Sequence, residues 1–294
     1  MKILLVGGNG FLGTALSSLL KANEIECYTL SRSNKNSNFN IDIGNYNDFK
    51  KLPDNFFDVI VNCATVLPGG NYLDSQYLEK IFRTNILGTQ NICNWLSSQH
   101  SVKKIINCST LVVIAKPWPL NLSENAATYP AGNHVLYCSS KLTQELIFKT
   151  FAYSTKVALS QIRFSALYGS TMNWNGLICN LIDQSKKNKK IILTNGSKVS
   201  ADFLHVDDAS KIILATIKND VNDVINGASG TETTVLKLAE IIKQLSPENI
   251  EIQNIETDNF KEDRAVVNVD KLSKIIDVNG FVNLNHGISE MMKL

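Results

Sequence analysis

The sequence predicts an α/β fold, in which a doubly wound parallel sheet is followed by a smaller C-terminal α/β lobe. Two observations predict it. Short apolar runs alternate with helical patterns through the first 170 residues, as in βαβ units with right-handed crossovers. The runs IVNCA and KIINCS are apolar without alternation, which is typical of strands covered on both faces.

The predicted elements follow one another regularly in the first half of the chain. Strands are expected at 2–6, 25–30, 58–63, 103–108 and 157–163, and helices at 11–21, 76–98 and 134–153. The alternation of predicted strands and helices becomes less regular after Gly169. The elements expected there are a helix at 175–187, strands at 190–194 and 202–205, and helices at 207–218 and 234–245.

Residues 2–13, KILLVGGNGFLG, join a buried strand to a glycine turn and a helix N-terminus. Gly7, Gly10 and Gly13 follow the apolar run, and the helical pattern begins at Phe11 and Leu12. Backbone N–H groups and the helix dipole favour a phosphate there, and glycine allows its close approach. The segment therefore predicts a Rossmann-type dinucleotide site, and an ordinary strand–helix turn is the alternative.

Composition excludes several classes of function. Lys and Arg number 29 against 27 Asp and Glu, so the net charge of +2 attracts neither nucleic acid nor a membrane surface. We find no signal-peptide pattern and no apolar run of about 18 residues, so we expect a cytoplasmic protein. The six cysteines show no metal-site spacing, which predicts no metal, and Cys63 and Cys108 are interpreted as small core residues of a reducing compartment.

Tyr137 and Lys141 lie four residues apart in YCSSK, on one face of a predicted helix. With this motif the chain resembles the extended, nucleotide-sugar-modifying branch of the short-chain dehydrogenase/reductase superfamily. The segments that carry the likeness, in family order, are GGNGFLG (7–13), DVIVNCAT (58–65), NILGTQN (85–91), NCST (107–110), YCSSK (137–141), RFSALYG (163–169), DFLHVDD (202–208) and NGASG (226–230).

The resemblance implies an organisation and a substrate class. It places an NAD(P)-binding domain at 1–170 and a mainly substrate-binding lobe at 171–294, with 202–228 packing back on the first domain. It also implies a nucleotide-diphosphate sugar as substrate and a homodimer.

The catalytic assignments concern Tyr137, Lys141 and Thr110. A phenol has a pKa near 10, and a nearby ammonium such as that of Lys141 lowers it. The resemblance gives Tyr137 the proton transfer, Lys141 hydrogen bonds to the nicotinamide ribose, and Thr110 the hydroxyl that holds the reacting oxygen. Ser109 is the alternative to Thr110.

The end of the second strand bears on the cofactor. An acidic residue there selects NAD, but this chain has Ser31-Arg32-Ser33, whose guanidinium can pair with a 2′-phosphate while the hydroxyls add donors. We therefore favour NADP(H), with NAD(H) as the alternative. The further residues that the resemblance places at the cofactor are Gly7, Gly10, Phe11, Leu12, Gly13, Asp42, Ile43, Cys63, Ala64, Asn85, Tyr137, Lys141 and Phe164.

The substrate-binding residues that the resemblance implies are Thr65, Thr110, Ala166, Lys261 and Arg264. Ala166 stands where the family usually has an Asn before its Tyr-Gly pair, so one side-chain amide is missing from this chain. Lys261 and Arg264 are candidates for holding the diphosphate.

The two residues after Thr110 narrow the choice among the reactions of this branch. Dehydratases of this branch carry an acidic pair there, whereas this chain has Leu111 and Val112. Four-epimerases of the branch typically hold NAD through an acid at the second strand, where this chain has Ser31 and Arg32. We therefore predict an NADPH-dependent reductase of a nucleotide-linked 4-keto-6-deoxy sugar, serving deoxysugar and surface-polysaccharide precursor synthesis. The alternatives are an NAD-dependent nucleotide-sugar 4-epimerase and a non-catalytic NADP-sensing protein.

Overall fold

A seven-stranded sheet lies at the centre of the computed structural model, which describes residues 1–32, 36–174 and 176–293. Its strands are β1 (Lys2–Val6), β2 (Glu26–Ser31), β3 (Phe39–Asn40), β4 (Val59–Asn62), β5 (Lys104–Thr110), β6 (Ala158–Phe164) and β10 (Val224–Gly227). They run in the spatial order β10-β6-β5-β4-β1-β2-β3. Strand β1 pairs in parallel with both β2 and β4, so their carboxyl ends meet at one edge. This is the predicted Rossmann-type fold, and ligands bind such sheets where the strand order reverses, between β1 and β4.

Eight α-helices occur in the described ranges. They are α1 (Phe11–Ala22), α2 (Ser75–Ile81), α3 (Gly88–Leu96), α4 (Val135–Thr155), α5 (Leu177–Asn188), α6 (Val206–Lys218), α7 (Val235–Leu245) and α8 (Leu284–Met292). The single helix predicted at 76–98 is interrupted, because a π-helical segment, Phe82–Leu87, separates α2 from α3. Such widened turns frequently occur at functional sites. None of the helices described is long and apolar enough to cross a membrane.

The second half of the chain forms two small sheets that sequence patterns only partly predicted. Strands β7 (Ala166–Tyr168), β9 (Ser200–His205) and β11 (Glu232–Thr234) make one sheet in the order β11-β9-β7. Strands β8 (Lys190–Thr194) and β12 (Glu251–Ile255) make the other, paired in parallel. β7, β11, β12 and α8 were not predicted from the sequence, because the three strands are short or polar and the C-terminal stretch is Asn-rich.

The chain divides into two compact units, each with its own core. The first unit comprises Met1–Ala115, Ala127–Arg163 and Ser210–Ile225, and the second comprises Lys116–Ala126, Phe164–Ala209 and Asn226–Leu294. In the first core, side chains of α3 and α4 such as Trp95 and Phe148 share one buried cluster with Ile60 and Ile105 of the sheet. In the second, α5 and α7 pack their apolar residues with strands β8 and β9. A substrate-binding role for the second unit remains a prediction.

Candidate active site

A cavity of about 430 Å³ lies in the first unit at the carboxyl ends of β1, β2 and β4. Its volume is in the usual range for a small-molecule site. Nine residues predicted from the sequence line it, namely Gly7, Gly10, Ser31, Arg32, Asp42, Ile43, Cys63, Ala64 and Thr65. The sheet therefore brings together segments that are up to about sixty residues apart in the chain.

At two positions of the glycine loop, neighbouring backbone atoms lie too close for any side chain. Gly7 has φ of +80°, and a Cβ there would lie 2.8 Å from the backbone nitrogen of Ala64. A Cβ on Gly13 would lie 2.2 Å from the carbonyl oxygen of Gly7. Helix α1 begins immediately after Gly10, which supplies no side-chain cap. A bare backbone cradle at a helix N-terminus is the arrangement that a dinucleotide pyrophosphate requires, so the residues present fit such a cofactor.

Polar groups surround the far end of the cavity, where β2 ends. Asn9 donates from Nδ2 to the Ser31 hydroxyl over 3.0 Å, and Arg32 is an exposed part of the lining. The Asp42 carboxylate pairs with the Arg83 guanidinium at 3.1 Å and accepts a hydrogen bond from the backbone N–H of Gly44 at 3.0 Å. The predicted contribution of Ser33 lies outside the described residues.

Sequence reasoning missed six cavity residues. Val6, Asn9, Leu30, Ile41, Val66 and Thr84 all contribute to the wall. Asn9 lies inside the glycine segment, and each of the other five is adjacent in the chain to a residue that was predicted. Extending each motif by one residue would have found those five.

Tyr137 and Lys141 are both buried on α4. The Tyr137 phenol is hydrogen-bonded to the side chain of Thr65, a residue of the cavity wall. Burial raises the pKa of Tyr137 well above its usual value. Burial outweighs the lowering of this pKa that was expected from Lys141, whose ammonium donates to the Cys108 carbonyl at 2.8 Å and to the Gln144 side chain at 2.5 Å. Burial also lowers the pKa of Lys141 to about 8.

Asn85 connects the cavity wall to the helix that carries Tyr137. Its Oδ1 accepts the Val66 backbone N–H at 2.8 Å, and its Nδ2 donates to the Ser140 hydroxyl at 2.9 Å. Ser140 in turn donates to the carbonyl of Tyr137 at 2.7 Å. Asn85 does not line the cavity and lies in the π-helical segment, where a widened turn presents its side chain to both partners.

Ser109 and Thr110 end strand β5 with different surroundings. Ser109 is buried and donates to Glu145 Oε1 at 2.5 Å. Glu145 is also paired with Arg163, whose Nη2 lies 2.8 Å from Oε2. Thr110 is half-buried, and its hydroxyl accepts the Val112 backbone N–H at 3.4 Å. Because Ser109 is committed to the ion pair, the structure favours Thr110 as the hydroxyl available for a ligand.

The remaining predicted residues are placed elsewhere. Phe11 and Leu12 open α1 and do not line the cavity. Phe164 is buried at the end of β6. Ala166 is exposed at the start of β7, and Lys261 is exposed in the second unit.

Arg264 has a partner of its own in the second unit. It makes a two-pronged ion pair with Glu232, with distances of 3.0 and 2.5 Å. The guanidinium of Arg264 lowers the pKa of Glu232 to about 2. A role in binding a diphosphate would require Arg264 to exchange or share this partner. In the described part of the chain, no cluster of His, Cys, Asp or Glu is suited to hold a metal ion.

Two relatives are similar to the chain over most of its length. It is 26% identical to the putative UDP-glucose 4-epimerase of Methanocaldococcus jannaschii over 253 residues, 82% of this chain and 81% of the relative. It is 27% identical to the GDP-6-deoxy-D-talose 4-dehydrogenase of Aggregatibacter actinomycetemcomitans, covering 100% of this chain and 97% of the relative.

A solved structure shares the fold over the full chain. The UDP-glucuronic acid 4-epimerase of Bacillus cereus in complex with NAD superimposes with a TM-score of 0.82 at 19% identity, covering 100% of this chain and 98% of that one. Residues 3–228 match the profile of the NAD dependent epimerase/dehydratase family. Because this match covers more than half of the sequence, the chain belongs to that family.

Proposed function

We propose that the protein is an NADPH-dependent oxidoreductase that reduces C4 of a nucleotide-linked 4-keto-6-deoxy sugar. The observation that carries the proposal is the cavity wall at the end of β2, which is built from Ser31 and Arg32. A cation at this place suits a 2′-phosphate, whereas an acid would suit the free 2′-hydroxyl of NAD. The carboxylate of Asp42, also in the wall, is already paired with Arg83.

The cofactor would be held by residues that the structure already groups. Gly7, Gly10 and the start of α1 would bind its pyrophosphate, and Ser31 and Arg32 its 2′-phosphate. Lys141 would bind the nicotinamide ribose. When bound, the reduced nicotinamide supplies a hydride, which is the chemistry that protein side chains lack.

Tyr137 has the properties of a proton donor. Its raised pKa keeps the hydroxyl protonated at neutral pH, as a group that gives a proton to a developing alkoxide must be. The hydrogen bond to Thr65 orients the phenol toward the cavity wall. Thr110 would hold the reacting oxygen, because the neighbouring Ser109 is occupied by Glu145. Lys141, with a pKa of about 8, is mostly charged at neutral pH.

The named relatives support chemistry at C4. The Aggregatibacter relative is a 4-dehydrogenase of a GDP-linked 6-deoxy sugar and aligns with the entire chain. Oxidation of a 4-hydroxyl and reduction of a 4-ketone are the two directions of one reaction, so the same residues serve either.

A second candidate is a nucleotide-sugar 4-epimerase with tightly held NAD. The likeness to the Methanocaldococcus protein, a putative UDP-glucose 4-epimerase, favours it. An epimerase returns the hydride to the same sugar and consumes no cofactor. A reductase releases oxidised cofactor at each turnover.

One assay separates the two candidates. Purified protein is mixed with nucleotide-linked 4-keto-6-deoxy sugars and NADPH, and with nucleotide hexoses without added cofactor, and the Tyr137→Phe variant serves as the inactive control. We expect NADPH absorbance to fall only with a keto sugar present and only in the wild type. A 4-epimer that accumulates without added cofactor would overturn the reductase assignment in favour of the epimerase.

A further inference from the structure

Cys63 and Cys108 lie side by side at the carboxyl edge of the sheet. Cys63 directly follows β4, Cys108 belongs to β5, and the register pairs Asn62 with Asn107 just before them. Their Sγ atoms are 3.3 Å apart, and both thiols are free. The interpretation of the two residues as simple core packing does not account for two sulfur atoms in direct contact beside a ligand cavity.

Each of the two cysteines contacts a different part of the predicted cofactor site. Cys63 lines the cavity, and the peptide that joins it to Ala64 is the surface against which Gly7 packs. The carbonyl of Cys108 accepts the Lys141 ammonium at 2.8 Å. A change in the position of the two sulfur atoms therefore reaches both the glycine loop and Lys141.

We propose that Cys63 and Cys108 are a redox-modification site, at which a hydroperoxide closes a disulfide that prevents the dinucleotide from binding. The inference rests on the cofactor cavity of the proposed function and not on its reaction. Neighbouring strands lie about 4.7–4.9 Å apart, within the Cα separations of about 4.4–6.8 Å that a disulfide spans. Closing the bond shortens the sulfur–sulfur distance to about 2.05 Å and draws the wall beneath Gly7 toward β5.

The proposed step balances as a two-electron oxidation. One sulfur attacks a peroxide oxygen, which leaves a sulfenic acid and releases water, or an alcohol if the peroxide is organic. The second sulfur then displaces the sulfenic hydroxyl as water, and the S–S bond forms. The sulfur pair loses two electrons and two protons, and the peroxide oxygens gain them. A reducing dithiol reverses the change by exchange.

The surroundings of the pair set the speed of this reaction. The contact with Cys108 and burial raise the pKa of the Cys63 thiol, and the Lys141 ammonium opposes them only in part. Because the thiolate is the reactive form, oxidation should be slow at neutral pH and faster as pH rises. The second step needs no diffusion, so the disulfide and not a stable sulfenic acid should accumulate.

The experiment measures thiols and mass on the full-length protein. Reduced protein is treated with hydrogen peroxide at pH 7 and 9, with and without NADPH, and free thiols are counted after denaturation. We expect the count to fall from six to four with the loss of two hydrogen atoms in mass. The loss should be faster at pH 9, and NADPH at ten times its Kd should slow it about tenfold if only the free form reacts. A chymotryptic map should link Cys63 to Cys108, because cleavage after Leu111 and Tyr137 separates Cys108 from Cys138.

Two variants and a binding titration complete the test. The Cys108→Ala variant should form no disulfide and so lose no pair of thiols. The Cys27→Ser variant, which changes the half-buried cysteine of β2, should lose one pair of thiols as the wild type does. Oxidised wild type should no longer bind NADPH by fluorescence titration, and a dithiol should restore binding. A pair that stays reduced, a link between other cysteines, or undiminished binding after closure would overturn the proposal. A different outcome separates this proposal from the proposed function. If the disulfide closes and blocks binding as expected, but the reduced protein binds NADPH and reduces no keto sugar, this proposal stands and the proposed function is contradicted.

Discussion

Replacing Glu145 with glutamine breaks a buried ion pair that joins the helix of Tyr137 to two strands of the central sheet. Glu145 lies on α4 and accepts hydrogen bonds from Ser109 of β5 and from Arg163 of β6. Its carboxylate is 3% exposed and the Arg163 side chain 7%. The substitution keeps the shape of the side chain and removes its charge.

The magnitude follows from this burial. A glutamine leaves the Arg163 guanidinium buried without a counter-charge, and breaking a buried pair on one side costs about 3–5 kcal/mol. With an unfolding entropy of about 2.1 cal/mol/K per residue, 1 kcal/mol moves the melting temperature of a 294-residue protein by about 1.6 °C. We therefore expect Glu145→Gln to lower the melting temperature by about 5–8 °C.

Thermal unfolding followed by circular dichroism measures the effect, with Glu240→Gln as the matched control. Glu240 pairs with Lys237 at 3.3 Å on an exposed helix face, where solvent screens the attraction, so its loss should leave the melting temperature nearly unchanged. Equal small shifts for both variants would refute the reasoning from burial. A Glu145→Leu, Arg163→Leu double variant should recover part of the stability, because no lone charge remains buried.

The remaining predictions concern the cofactor and the proton. Arg32→Ala should weaken NADPH binding by about 10- to 100-fold, through the loss of a charge-assisted contact, and NADH binding far less; equal weakening in fluorescence titrations would argue against a 2′-phosphate site. Tyr137→Phe should lower kcat by about 10²–10⁴-fold while NADPH still binds, whereas retained activity would favour the non-catalytic sensor. The pKa of Lys141 near 8 predicts that kcat/KM falls as pH rises through about 8, because the ammonium is lost there, and Lys141→Arg should remove that fall.

Local sequence was sufficient for the start of the first unit because its signals are local. The apolar run of β1, the three glycines and the start of α1 are consecutive, so one segment predicts both the strand and the phosphate cradle. The two-residue strand β3 and the polar strand β12 carry no such signal, since each is defined by its pairing with another strand. The π-helical segment contains Asn85, whose partners Val66 and Ser140 lie far from it in the chain, and these contacts too have no local signal.

The choice between Ser109 and Thr110 shows why a site needs the third dimension. The two hydroxyls are adjacent in the chain, and either matches the motif. Successive side chains of a strand point to opposite faces, so only one of them can face a given neighbour. Glu145, thirty-six residues further along the chain, accepts a hydrogen bond from the Ser109 hydroxyl at 2.5 Å, so this hydroxyl is not available for a ligand. If Thr110 is the working hydroxyl, Thr110→Ala should reduce kcat with little change in melting temperature. Ser109→Ala should instead lower the melting temperature, because it withdraws a hydrogen bond from a buried carboxylate. The reverse pattern would exchange the roles of the two residues.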